Sequence, residues 1–130
     1  MRILFTCIGK RVELIQAFRN AAKKLTTDLF IYGTDITDTA PALSFCDKPL
    51  LVCRINDDNY IPSLLEICRN EHIDAVIPTI DTDLFILSHN RDVFKKIGTR
   101  VIISDENEIA LCRDKRKTAH FFRSIGLLSP

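Results

Sequence analysis

The sequence lacks long apolar runs, and it lacks an excess of charge of either sign. No apolar run approaches the ~20 residues that a membrane-spanning helix needs, so no membrane segment is expected. The 18 basic and 17 acidic residues give a net charge of +1, which indicates neither nucleic acid nor an anionic membrane as an obligatory partner. No small-residue cleavage site follows the apolar start, which therefore predicts a buried first strand rather than a signal peptide.

Cysteine and glycine are too few, or too irregularly spaced, for several familiar sites. The five cysteines are an odd number without a C-x-x-C pair, which argues against a disulfide framework or a zinc site and favours reduced thiols in a cytoplasmic protein. The four glycines form neither G-x-G-x-x-G nor a P-loop, and G-x-S-x-G is also absent. No histidine has a partner at metal-ligand spacing, so surface or packing roles are expected for His72, His89 and His120.

What the chain does contain is a regular alternation of short apolar runs and amphipathic segments. Its 130 residues, 46% of them hydrophobic, match the size of one domain. Strand-like runs separated by segments of helical periodicity predict a single α/β domain with a doubly wound, Rossmann-like, mostly parallel five-stranded sheet. The predicted strands are Ile3–Cys7, Leu29–Tyr32, Leu50–Cys53, Ala75–Ile77 and Val101–Ile103.

Local signals predict where the later helices begin and which faces they bury. Asp81 is a candidate cap for one helix that continues through Ile97. Asp105, with Glu108 three residues later, resembles a capping box. A basic amphipathic helix is predicted to begin at Asp114. The apolar residues of this last helix, predicted to face the core, are Phe121, Phe122 and Ile125.

The loop after the first predicted strand is a candidate anion site. Ligands of open parallel sheets bind beyond the carboxyl ends of the strands, and Gly9, Lys10 and Arg11 lie at such an end. Backbone N–H groups, the dipole of the following helix and two cations all favour an anion there. The alternative is a tight turn at Gly9 with two solvated cations.

Three aspartates follow later strands, and each has two interpretations. Asp35 lies ~25 residues after Gly9, near the place of a ribose-binding acid, but it could equally cap a turn. Asp81 and Asp83 could bind a cation or a substrate amine, or they could cap a helix. A phospho-acceptor receiver domain is excluded, because cations stand where its acidic cluster would be.

Four segments occur in an order that resembles a known family. They are TCIGKRVELIQAF, YGTDITDTAPAL, VIPTIDTDL and CRDKRKTAHFFRSIGLLSP. Together they resemble the N-terminal pre-ATP-grasp domain of ATP-grasp ligases similar to the carbamoyl-phosphate synthase large subunit, over essentially the whole chain. Such enzymes use ATP to activate a carboxylate as an acyl phosphate, which an amine or similar nucleophile then attacks.

The resemblance implies roles for particular residues. Lys115, which follows Asp114, is expected to approach the nucleotide phosphates; otherwise it is a solvated cation in a basic run. One cleft is expected to hold the substrate, with the loop cations near its anionic group. The substrate-binding residues implied in this way are Gly9, Lys10, Arg11, Asp35 and Asp81.

The parts of such ligases that hold Mg²⁺ and ATP are missing from these residues. The complete enzyme is expected to use both, whereas this chain alone is expected to hold neither and to be inactive. Residues 1–112 are predicted to form the pre-ATP-grasp domain, and residues 113–130 to lead through Ser129 and Pro130 toward an ATP-grasp core on the same or a separate chain. The expected substrates are a small carboxylate and an amine.

Two other classes of function are compatible with the residues. One is a standalone α/β module that binds a nucleotide or a phosphorylated metabolite through the Gly9–Arg11 loop. The other is a structural domain that forms a homodimer.

Overall fold

Five strands form one sheet in the computed structural model, which describes residues 1–128. The strands are β1 (Arg2–Thr6), β2 (Phe30–Asp35), β3 (Lys48–Leu51), β4 (Ala75–Pro78) and β5 (Arg100–Val101). Their order is β3-β2-β1-β4-β5, and every neighbouring pair is parallel. The predicted doubly wound α/β fold is therefore confirmed. The predicted role of Ser129 and Pro130 lies outside the described residues.

Helices cover both faces of the sheet. They are α1 (Val12–Lys24), a 3₁₀ helix (Pro41–Phe45), α2 (Tyr60–Asn70), α3 (Asp81–His89), α4 (Arg91–Lys96), α5 (Glu106–Arg113) and α6 (Lys115–Ser124). Alternate side chains of a strand point to opposite faces. Leu4 and Tyr32 therefore share a core with α2, α3 and α4, whereas Phe5 and Ile31 share one with α1 and the 3₁₀ helix.

The strand order places a switch point between β1 and β4. From β1 the chain moves outward through β2 to β3, and it then returns to β4 on the other side of β1. Right-handed crossovers in opposite directions put helices on opposite faces. Ligands of such sheets bind at the carboxyl ends of the strands beside this switch.

The two outer strands, β3 and β5, begin and end earlier in the sequence than predicted. β3 begins at Lys48 rather than Leu50, because Lys48 already pairs with Tyr32 of β2. β5 begins at Arg100 and ends at Val101, although the N–H of Ile102 still donates to the carbonyl of Val76 at 2.8 Å. Pairing register rather than apolar content therefore sets these bounds.

The predicted helix from Asp81 to Ile97 is wrong, since two helices occupy this stretch. The break is at Asn90, whose side-chain Nδ2 donates to the carbonyl of Ile86 at 2.8 Å. Asp81 is the first residue of α3 rather than its cap, and Ile80 precedes the helix without a side-chain cap.

The predicted capping box at α5 is also absent. Asp105 precedes the helix but caps none of its N–H groups with its side chain. Its carboxylate instead pairs with the guanidinium of Arg91 at 2.5 Å. An ion pair with a residue of α4 has thus replaced the predicted cap of α5.

Helix α6 begins as predicted but does not face the core. Asp114 Oδ1 accepts the N–H of Arg116 at 3.0 Å, which confirms the helix start. None of the α6 residues is buried, and Phe121 and Ile125 are exposed, so their predicted burial is wrong. Within residues 1–128, no helix is both long and apolar enough to cross a membrane.

Candidate functional site

The candidate site lies at the carboxyl edge of the sheet, where β1, β2 and β4 end side by side. Thr6 of β1 is in register with Pro78 of β4, and Phe5 is in register with Gly33 of β2. The loops that follow these strands are therefore neighbours in space. This geometry brings together segments that are far apart in the sequence.

The loop after β1 is fixed by a carboxylate from the end of β2. Asp35 Oδ2 accepts the N–H of Gly9 at 2.9 Å, and its Oδ1 accepts the N–H of Ile36 at 2.8 Å. Gly9 has φ +52°, a left-handed conformation that glycine adopts without steric cost. The structure thus brings Gly9 and Asp35 together, with Asp35 holding the turn.

Three backbone N–H groups at the predicted anion site are already paired within the fold. Besides that of Gly9, the N–H of Arg11 donates to the Ile8 carbonyl at 3.1 Å, and that of Val12 donates to the Lys10 carbonyl at 2.9 Å. The two cations remain accessible, because Lys10 is exposed and Arg11 is half-buried at the start of α1. Both side chains are therefore available to an anion at this loop.

A buried polar network lies directly beneath this edge. The carboxylate of Asp83 is fully buried and accepts hydrogen bonds from the hydroxyls of Thr6 and Tyr60, the latter at 2.8 Å. Burial raises the pKa of Asp83, and the two hydroxyl donors oppose that rise. Asp83 is thus a buried structural group that joins α3 to β1 and α2. Asp83 caps no N–H group of α3, so its predicted role as a helix cap is wrong, while its role as a ligand for a cation or an amine stays a prediction.

Thr79, just after β4, links that strand to the end of β1. The hydroxyl of Thr79 lies 2.9 Å from the carbonyl of Thr6 and 2.6 Å from that of Cys7, so it donates to this pair of oxygens. Cys7 itself has φ +52°, which is uncommon outside glycine. The bond from Thr79 holds that turn in place.

Cys7 resembles a nucleophile in position but not in chemistry. It lies on a sharp turn between a strand and a helix, with its Sγ 3.6 Å from the hydroxyl of Tyr60. Burial raises the pKa of the thiol to about 11, and the nearby Asp83 adds to the rise. The thiol is therefore protonated at neutral pH and is not activated for attack.

Asp81 and Lys115 form a second group of predicted residues. They line one cavity of about 340 Å³ together with Glu108 and Arg113, so two carboxylates and two cations surround the same space. The guanidinium of Arg113 lies over the ring of Phe85, 5.7 Å from its centre. Asp81 and Lys115 are exposed, which leaves both accessible to a ligand.

Direct contacts therefore join Gly9 to Asp35, and one cavity joins Asp81 to Lys115, while the single substrate cleft that would hold all of them stays a prediction. Within residues 1–128, no hydrogen bond or salt bridge links the Gly9–Asp35 group to the Asp81–Lys115 group. That same part of the chain holds no cluster of three or more His, Cys, Asp or Glu residues that could bind a metal ion.

A known protein family matches most of this chain. The model of the PylC-like, N-terminal domain family matches residues 3–102. The chain belongs to this family. The predicted resemblance to the N-terminal domain of ATP-grasp enzymes is thereby confirmed, while the likeness to carbamoyl-phosphate synthase in particular stays a prediction. No curated protein sequence matches the chain.

Solved structures share the fold of this PylC-like domain at low sequence identity. Glycinamide-RNase-transformylase T from Mycobacterium tuberculosis has a TM-score of 0.67 and 13% identity, over 97% of this chain and 32% of that one. Pyruvate carboxylase from Rhizobium etli has a TM-score of 0.63 and 16% identity, over 100% of this chain and 13% of that one. The biotin carboxylase domain of a thermophilic 2-oxoglutarate carboxylase, bound to bicarbonate, has a TM-score of 0.61 and 15% identity, over 98% of this chain and 28% of that one. The chain thus spans a minor part of each.

Sequence reasoning missed the residues that organise the edge from within. Thr6 lies in an apolar strand, Tyr60 at the start of a predicted helix and Thr79 in a loop, and none of them belongs to a motif with a known role. A weak signal existed for Asp83, which lies four residues before Leu87 and so on the same face of a predicted helix. A carboxylate on such a face requires buried hydrogen-bond donors.

Proposed function

We propose that this chain is the substrate-side N-terminal domain of an ATP-dependent carboxylate–amine ligase that works through an acyl phosphate. The match of the PylC-like N-terminal domain family to residues 3–102 carries the proposal. The fold shared with a biotin carboxylase domain bound to bicarbonate is a second support, since bicarbonate is a small oxyanion like a carboxylate. A ligase of the carbamoyl-phosphate synthase type is the finer form of this proposal.

In this proposal the loop after β1 binds the carboxylate substrate. Lys10 and Arg11 supply the positive charge at the start of α1, where the helix dipole also favours an anion. Asp35 acts through Gly9, whose N–H it accepts at 2.9 Å, and so fixes the position of the two cations. The substrate contacts are therefore made by side chains on a backbone held by hydrogen bonds.

The second group serves the amine and the nucleotide. Asp81, exposed at the start of α3, offers a carboxylate to a substrate amine. Lys115, which lines the same cavity, would contact the nucleotide phosphates. Mg²⁺-ATP, held mainly by the ATP-grasp core, would supply the phosphoryl group that activates the carboxylate. We also propose that the protein acts in the cytoplasm.

The ATP-grasp core, on the same or a separate chain, is the proposed partner. Apolar side chains on and after α6 have no cover in residues 1–128, and Leu127 and Leu128 extend this exposed surface beyond Phe121 and Ile125. The match covers only 32% and 13% of the chains of two structural relatives, so most of each of those chains lies outside the matching part. A core packed on α6 would bury this surface and bring Lys115 to the nucleotide.

The test compares the 130-residue chain alone with the same chain joined to, or mixed with, the ATP-grasp core proposed as its partner. ADP release would be measured with panels of small carboxylates and amines. We expect product and ADP only when the core is present. Robust ATP turnover by the 130-residue chain alone would contradict the proposal.

Variants of the loop test the assignment of the carboxylate site. Replacing Lys10 or Arg11 by alanine should raise KM for the carboxylate about tenfold, since each removes a charge-assisted contact. Lys23→Ala, on the exposed surface of the last turn of α1, is the matched control and should leave KM unchanged. Binding of nucleotides or phosphorylated metabolites by the chain alone, lost in the same variants, would instead favour a standalone module.

A further inference from the structure

Strand β5 leaves one edge of the sheet open. Among residues 1–128, β5 pairs with β4 on one side and with no strand on the other. The N–H groups of Arg100 and Ile102 donate to the carbonyls of Asp74 and Val76 at 2.9 and 2.8 Å. Since peptide groups alternate in direction along a strand, those of Val101 and Ile103 face away from β4. This outer edge therefore offers main-chain donors and acceptors to another strand.

A groove follows this open edge. A cavity of about 580 Å³ is lined by residues 98–103 together with Arg91 and Lys95. Ile102 adds an apolar surface beside the edge, since 47% of the residue's surface is exposed. A groove that runs along a strand edge suits an extended segment, whose backbone pairs with the edge while its side chains contact the walls.

The groove is positively charged. Its lining contains Arg91, Lys95 and Arg100 and no carboxylate. Arg91 is held by Asp105 and donates to the outward carbonyl of Ile103 at 3.4 Å. Lys95 and Arg100 are exposed and form no salt bridge within residues 1–128. Two cations are therefore available to pair with the carboxylates of an incoming segment.

The opposite edge of the sheet differs in a way that discourages pairing. Strand β3 contains Pro49, which has no N–H to donate, directly after Lys48. Lysine and proline in an edge strand are common devices against strand addition. Strand β5 has no proline, and its edge carries a groove.

We propose that the β5 edge binds an acidic, extended segment of a partner protein, which adds to the sheet as a sixth strand. Hydrogen bonds to the N–H and carbonyl of Val101 and to the N–H of Ile103 hold the backbone of that segment. Its Glu or Asp side chains pair with Lys95 and Arg100, and its apolar side chains contact Ile102. The site is separate from the strand-end loops and does not depend on the function proposed for them.

The first experiment uses a fluorescein-labelled peptide of about seven residues that alternates glutamate and valine. Fluorescence anisotropy at low ionic strength should show saturable binding to the 130-residue chain that weakens as salt is added. The same peptide with lysine in place of glutamate should not bind. A glutamate–valine peptide N-methylated at alternate amides should bind about tenfold more weakly or worse, because it cannot form the ladder.

Charge-reversal variants and hydrogen exchange locate the site. A double variant, Lys95→Glu with Arg100→Glu, should lose peptide binding. The matched double variant on α1, Lys23→Glu with Lys24→Glu, makes the same change in net charge and should keep it. The amides of Val101 and Ile103 should gain protection from hydrogen exchange when the glutamate–valine peptide is bound.

Three results would overturn the proposal. The first is the absence of any binding by the glutamate–valine peptide. The second is equal binding by the N-methylated peptide, and the third is full displacement by inorganic tripolyphosphate without protection of the Val101 amide. The second or the third result would make the groove a simple anion site.

Discussion

Two aspartates at the carboxyl edge of the sheet differ in what their hydrogen bonds hold. Asp35 accepts backbone N–H groups and thereby sets the turn at Gly9. Asp83 accepts side-chain hydroxyls and thereby fastens α3 to Thr6 and Tyr60. Each carboxylate satisfies donors that would otherwise be left unpaired near the end of β1. Substitution of either one therefore tests a different part of the site.

Asp35→Ala should destabilise the chain by about 1–3 kcal/mol, because it leaves the N–H of Gly9 without its acceptor. Urea unfolding followed by circular dichroism measures this loss. Asp38→Ala, an exposed change in the same loop, is the control and should stay within about 0.5 kcal/mol of the parent. Equal effects of the two substitutions would show that the Asp35 contact adds no stability.

Asp83 should give the stability of the fold a recognisable pH dependence. Burial raises its pKa above the ordinary value of 3.8. A carboxyl group of this kind contributes stability that is fully present below its unfolded pKa and is lost as the pH rises through its folded pKa. Asp83→Asn cannot titrate, so any stability advantage of the parent over this variant should shrink as the pH rises from about 4.

Urea midpoints of the parent and of Asp83→Asn, measured across a pH series, check this expectation. The comparison cancels the contributions of groups that titrate alike in both proteins. Parallel curves over the whole series would contradict a raised pKa at Asp83. A gap that widens with pH would contradict its direction.

At the scale of elements, the 3₁₀ helix packs closely on β2. A Cβ added to Gly33 would lie only 2.4 Å from Sγ of Cys46, just after this helix. Leu43 of the same helix belongs to the buried core on this face. Glycine at position 33 therefore permits the close approach of the 3₁₀ helix to the sheet.

Gly33→Ala should lower the free energy of unfolding by about 1–3 kcal/mol through this overlap. Cys46→Ala removes the sulfur that the new methyl group would meet. The double variant should consequently recover much of the loss relative to Cys46→Ala alone, as measured by urea unfolding. Simple additivity of the two substitutions would place the strain elsewhere.

Helix α6 differs from the other helices in its relation to the core. Its N-terminus is fixed by Asp114, and the hydroxyl of Thr118 lies 2.9 Å from the carbonyl of Leu111 in α5. None of its residues is buried, however. The helix is thus attached locally and has an uncovered apolar surface, which is the arrangement expected of a segment that packs on further protein.

At the scale of the whole molecule, the predicted boundary after residue 112 can be tested by truncation. A chain of residues 1–112 should unfold within about 1 kcal/mol of the full chain, because the attachments lost are the contact of Arg113 with Phe85 and the hydrogen bonds of Thr118 to the carbonyls of Leu111 and Cys112, none of them fully buried. Urea unfolding of both chains measures the difference. Phe94→Ala, at a fully buried position, is the destabilised reference and should lose about 3–5 kcal/mol. A comparable loss in the truncated chain would make α6 part of the domain.

The strand order explains why residues distant in sequence meet at one edge. Because β1 lies between β2 and β4, Gly9 is close to Asp35, and Thr6 is close to Thr79. The same order leaves β3 and β5 as the outer strands, and only β3 contains a proline that discourages pairing with a further strand. Strand-end loops and an open edge are therefore consequences of one topology.

The sequence by itself determined the architecture and the family. Periodicity of apolar residues marks buried faces, and parallel strands follow from their alternation with helices, so the doubly wound sheet was predictable. The loop at Gly9 and the start of α6 at Asp114 were also predictable, because local backbone needs select those residues.

Only the tertiary structure decided which polar groups meet and which apolar groups stay uncovered. Asp81 and Asp83 look alike in the sequence, yet Asp83 is buried against Tyr60 while Asp81 is exposed beside Lys115. Phe121 has the spacing of a core residue but no core to face. A hydrogen bond or a packed contact depends on the position of its second partner in space, and that position is set by strand order and register rather than by local sequence.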